Sequence, residues 1–117
     1  MKQKTLEHTS LSPVEREALA VLRQRLFAEF DFVEELILFG SAARGTADEE
    51  SDIDLLVLTK YQLSFSVRHQ ITDLIFELNL EYETNFSTLV VPRIQWQTGV
   101  LSILPIRTEV ENEGIVI

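Results

Sequence analysis

Asp52 and Asp54, with Gly40 and Ser41 a short way upstream, are the residues of this chain whose types and spacing suit chemistry. Residues two apart on a strand project from one face with Cα atoms roughly 6.5–7 Å apart, so the two carboxylates address one volume. Crowded carboxylates raise each other's pKa unless a cation neutralises them, and hard oxygen ligands of this kind suit Mg²⁺ bridging to phosphates. Gly40 ends an apolar run, where the lack of a side chain lets a phosphate approach the backbone. The turn after it, Gly40-Ser41-Ala42-Ala43-Arg44-Gly45, offers free N–H groups and the Ser41 hydroxyl to negative charge. Arg44 can contact phosphate or pair with Asp48, Glu49 or Glu50, and Ser51 reads equally as a turn residue or a nucleotide contact. A triphosphate held by this turn, with a metal on the aspartates, would allow in-line attack by an acceptor hydroxyl on a phosphorus whose leaving pyrophosphate is neutralised.

The elements that must position these residues are legible in outline. Ser12-Pro13-Val14-Glu15 is a capping box with proline at the first helical position, and Val14, Ala18, Leu22, Leu26 and Phe30 recur at helical period. The pattern predicts a helix to about Phe30. Val33 to Phe39 reads as a buried strand stopped by Gly40, Ser41 to Gly45 as one helical turn, and Thr46 to Ser51 as an acidic loop. Ile53, Leu55 and Val57 alternate with Asp52, Asp54, Leu56 and Leu58 in a second strand. Val67, Ile71, Leu74, Ile75 and Leu78 predict a second amphipathic helix, and Phe86 to Val91 a third strand ended by Pro92. Ile103, Ile106 and Val110 before Gly114 suggest a terminal helix, and Ile115 to Ile117 a further strand or a docking segment. The expected fold is α/β (α+β): a small mixed sheet of about four strands with helices packed on one face. Residues 1–11 read as a flexible leader and 12–117 as a single domain.

Composition narrows the partners. A chain of 117 residues, 45% apolar and 25% charged, suits one folded domain. A net charge of −9 and a pI near 4.6 make long nucleic acid a poor partner. With no cysteine, disulfides, Cys-ligated zinc and thiol nucleophiles are excluded. His8 and His69 lack metal-ligand spacing. No apolar stretch approaches a membrane span and no signal-like segment opens the chain, so a cytoplasmic location is expected. Trp96 and Phe86 read as core or interface anchors.

Gly40-Ser41, Gly45 and Ser51-Asp52-Ile53-Asp54 resemble the signature of the DNA polymerase beta nucleotidyltransferase superfamily, in particular its minimal nucleotidyltransferase (MNT) branch. Gly40, Ser41, Gly45, Asp52 and Asp54 are each matched by chance at roughly 5–7%, so the set arises by accident about once per million start sites. The resemblance implies a nucleotidyltransferase fold, ATP as nucleotide substrate, and Mg²⁺ held by Asp52 and Asp54 as metal ligands and catalytic residues. It implies nucleotide contacts from Gly40, Ser41, Arg44, Gly45 and Ser51. It also implies a third carboxylate on a later strand, where Asn85 to Val91 offers only Ser87 or Thr88. This departure bears on catalysis more than on nucleotide binding.

MNT domains often accompany a helical HEPN protein as antitoxin and toxin. The first functional reading is therefore transfer of AMP from ATP to a hydroxyl on a HEPN-type partner. The alternative is a weakened or inactive MNT-fold module that neutralises such a partner by contact. Small-molecule modification ranks below both, because a chain of this length shows no second domain to form an acceptor pocket. The acidic surface and small size favour a heteromeric complex or a homodimer.

Overall fold

The computed structural model describes residues 9–48 and 51–117. The first helix, α1, spans Pro13–Glu29. Its capping box closes as expected: the Glu15 N–H donates to Ser12 Oγ at 3.1 Å, and the Ser12 N–H donates to Glu15 Oε1 at 2.8 Å. Of its periodic apolar residues, Ala18, Leu22 and Leu26 are buried and Leu19 joins them, while Val14 is exposed.

Four strands form one mixed sheet in the order β3-β2-β1-β4: β1 Val33–Phe39, β2 Ile53–Thr59, β3 Phe86–Pro92 and β4 Ile115–Val116. β1 runs antiparallel to β2 and β4, whereas β2 and β3 are parallel and joined through α3, Phe65–Tyr82. The central strands are apolar on both faces because both faces are covered. Leu36, Leu38, Ile53, Leu55 and Val57 pack with α1 and α3 residues such as Leu22, Leu26, Ile71 and Leu78. Ile37, Phe39, Leu56, Leu58 and Val91 form a second cluster with Trp96 and Val110.

That second cluster extends the expected layering. The two long helices share one face, and the opposite face carries two short ones, α4 (Arg93–Thr98) and α5 (Pro105–Glu113), linked by a 3₁₀ turn over Val100–Ile103. Trp96 and Phe86 are core residues, one on each side of the sheet. Ile103, placed in the terminal helix by its spacing, lies in the 3₁₀ turn and is exposed. Ile115 and Val116 complete the sheet beside β1. Of the stretch read as a leader, residues 1–8 lie outside the described residues. Ser10 and Leu11 pack on the domain, the Ser10 N–H donating to the Ala42 carbonyl at 3.2 Å and Leu11 being buried. Among the described residues no helix is long and apolar enough to cross a membrane.

Candidate active site

The site lies where β1 ends and β2 begins. Because the two strands are antiparallel with Phe39 opposite Asp54, the residue after β1 arrives beside the Asp54 side chain. That residue is Gly40, the first of the short α2 turn, Gly40–Arg44. Its φ is +78°, a region that residues with a Cβ enter only at a cost. A Cβ there would lie 3.3 Å from Asp54 Cγ and inside contact distance of Asp54 Oδ2. Glycine is thus required twice over, by the bend and by the carboxylate packed against it. Gly45, also at φ +78°, ends the turn, its N–H donating to Ala42 and that of Thr46 to Ser41. No side chain caps the start of α2, and among the described residues the Ser41 hydroxyl makes no hydrogen bond. The start of that turn is thus left without a side-chain acceptor.

Asp54 is half-buried on the sheet face that carries Leu56 and Leu58. Burial pushes its carboxyl above the usual carboxylate range, Asp52 and Glu109 push the same way, and Arg44 pulls it back. Asp52, expected on the strand beside Asp54, lies exposed just before β2 and adds to the rise in the Asp54 pKa. Two hard oxygen side chains, one partly desolvated and in a field of like charge, are of the type that a divalent cation takes as ligands. Among the described residues no three His, Cys, Asp or Glu side chains converge as a metal cluster.

The other expected residues divide. Ser51 closes the loop on itself, its hydroxyl accepting from the Asp48 N–H at 3.1 Å and donating to Asp48 Oδ1 at 3.0 Å. Arg44 is turned to α5, where Nη1 meets Glu109 Oε1 at 3.2 Å and Glu113 Oε2 at 3.0 Å. Glu49 and Glu50, its other expected partners, lie outside the described residues. In β3 the residue level with Asp54 is Ser87, which is exposed. Glu81 and Glu83 stand at the end of α3, outside the sheet. Sequence reasoning missed Glu109 and Glu113; their four-residue spacing on a predicted helix marks a shared face, but nothing local says which element that face meets.

Residues 19–115 match the sequence profile described as the nucleotidyltransferase domain. The chain belongs to that family. Among curated relatives of this nucleotidyltransferase domain is a candidate protein adenylyltransferase of Methanocaldococcus jannaschii, 36% identical over 85 residues, which are 73% of this chain and 79% of the relative. A second candidate protein adenylyltransferase of the same organism is 45% identical over 58 residues, 48% of this chain and 40% of the relative. Solved structures share the fold. A candidate nucleotidyltransferase of Sulfolobus solfataricus aligns with a TM-score of 0.55 at 22% identity, covering 80% of this chain and 79% of that one. A toxin–antitoxin structure with AMP-PNP aligns at 0.58 and 19%, covering 86% and 69%. The complex of a tri-AMPylated Shewanella oneidensis HEPN toxin with its MNT antitoxin aligns at 0.53 and 16%, covering 86% and 69%.

Proposed function

We propose that this nucleotidyltransferase domain transfers AMP from ATP to a hydroxyl on a protein partner, as the antitoxin of a HEPN/MNT pair. The observation that carries this reading is the packing of the Asp54 carboxylate against the Gly40 bend with Asp52 beside it. A bend of the kind that binds anions next to carboxylates of the kind that ligate cations supports a nucleotide with its cation as the ligand. The adenylyltransferase relatives and the MNT–HEPN structures support AMP as the group moved and a HEPN-type protein as its acceptor.

In this reading the backbone N–H groups of the α2 turn and the Ser41 hydroxyl donate to phosphate oxygens. Arg44 adds charge-assisted donors at the same end, and Asp52 and Asp54 hold Mg²⁺. The ion, when bound, supplies charge neutralisation for the departing pyrophosphate. The acceptor oxygen bonds to the α-phosphorus as the α–β bridging bond breaks; pyrophosphate leaves, and the acceptor's proton passes to the carboxylate pair. A net charge of −9 suits a basic protein face better than RNA as acceptor.

The test is incubation with labelled ATP, Mg²⁺ and a HEPN-type protein from the same genome. Label should move to the partner with wild type and stay on ATP with an Asp52→Ala/Asp54→Ala variant. Equal transfer by that variant, or none by wild type, counts against the proposal. Silencing of the partner by the variant as fully as by wild type would mean that contact alone suffices.

A further inference from the structure

Arg44 carries an asymmetry that phosphate binding alone does not explain. Both of its ion pairs, to Glu109 Oε1 and Glu113 Oε2, use the same nitrogen, Nη1. Among the described residues, Nε and Nη2 have no partner. These two nitrogens form the edge of a guanidinium that grips a carboxylate or phosphate through two parallel hydrogen bonds. Glu109 and Glu113 are four apart on α5, so their carboxylates leave one helix face and converge on the end of α2. Arg44 also acts on the ionisation of Asp54, which puts its charge within reach of the site.

We propose that Glu109 and Glu113 are positioning residues that grip Arg44 by Nη1 and hold its Nε/Nη2 edge ready for a phosphate of the nucleotide. The proposal rests on the ATP-binding reading of the site. A free arginine on an exposed turn must give up rotamer freedom when it binds phosphate, whereas one already clamped on its far side gives up less. The clamp tethers α2 to a helix packed on the sheet face that carries Asp54. Phosphate grip and carboxylate pair are thereby fixed to the same support. The expected consequence lies in substrate capture: loss of the clamp weakens ATP and leaves the chemical step largely intact.

The experiment is steady-state AMP transfer and direct ATP·Mg²⁺ binding by full-length wild type, Glu109→Ala/Glu113→Ala, Glu109→Gln/Glu113→Gln, and the alanine pair combined with Arg44→Ala. The alanine pair should raise KM and Kd for ATP about tenfold, the scale of one charged hydrogen bond, with kcat within about twofold. Glutamine keeps the acceptor oxygen and should restore most of the affinity. In the Arg44→Ala background the alanine pair should change KM by less than about twofold, because the glutamates act through that arginine. Unchanged or tighter ATP binding by the alanine pair, or the same loss without Arg44, overturns the clamp and leaves the nucleotide site standing. Failure of wild type to bind ATP·Mg²⁺ overturns both.

Discussion

Gly40→Ala separates the two demands placed on that residue. The added Cβ must sit at φ +78°, which costs a residue with a side chain about 1–2 kcal/mol. For a domain of this size that is a fall in Tm of about 4–8 °C. The Cβ also intrudes on Asp54, its ideal position being 3.3 Å from Asp54 Cγ and closer still to Oδ2. The end of a short, half-buried side chain can swing aside at little cost to stability, but it then leaves the position that the site needs. Misplacing a reacting group by about 1 Å costs on the order of 10²-fold in rate. AMP transfer should therefore fall about a hundredfold in Gly40→Ala, measured well below its Tm so that the protein is folded. The same change in an Asp54→Ala background should lower Tm by a similar amount, since the backbone penalty persists, and take away no further activity. Full activity in the folded Gly40→Ala variant, or no loss of stability, would refute the close approach of bend and carboxylate.

Three further outcomes follow from the same architecture. Asp54→Asn should raise Tm at pH 8 in metal-free buffer while abolishing Mg²⁺-dependent transfer. The folded-state pKa of Asp54 lies above its unfolded value, so the penalty for its charge sets in as pH rises through that window; the gain in Tm must shrink as pH falls back through it. Ser87→Asp, level with Asp54 on the parallel neighbour, should tighten Mg²⁺ binding by about tenfold in calorimetry, and unchanged or weaker binding would contradict the β2–β3 register. Leu22→Ala empties a fully buried position beneath the sheet and should cost about 2–5 kcal/mol in urea denaturation, with ATP affinity of the folded protein preserved.

Much of this architecture is written locally. Ser12, Pro13 and Glu15 mark the start of α1 because each satisfies or removes an orphan N–H within the first turn. Gly40 and Gly45 mark the α2 turn because few other residues tolerate its ends, and the alternation from Ile53 to Leu58 sets which face Asp54 takes. What escaped reading is non-local. Arg-Ile-Gln-Trp-Gln-Thr at 93–98 is too short and polar for its period to announce a helix, so the second covered face of the sheet went unseen. The strands did hint at it, since Leu56 and Leu58 alternate with Leu55 and Val57 and all four are apolar. Arg44, which its neighbours in sequence leave open to phosphate or to nearby loop acids, meets Glu109, 65 residues away, because α5 packs back against α2. No pattern within either segment encodes that meeting.

Titration calorimetry with ATP tests the central claim most directly. Wild type should bind ATP when Mg²⁺ is present and lose most of that affinity when Mg²⁺ is removed; Asp52→Ala/Asp54→Ala should show no such metal dependence and only weak binding. Equal affinity in the two proteins, or binding by wild type that ignores Mg²⁺, would contradict a nucleotide site built from the Gly40 bend and this carboxylate pair.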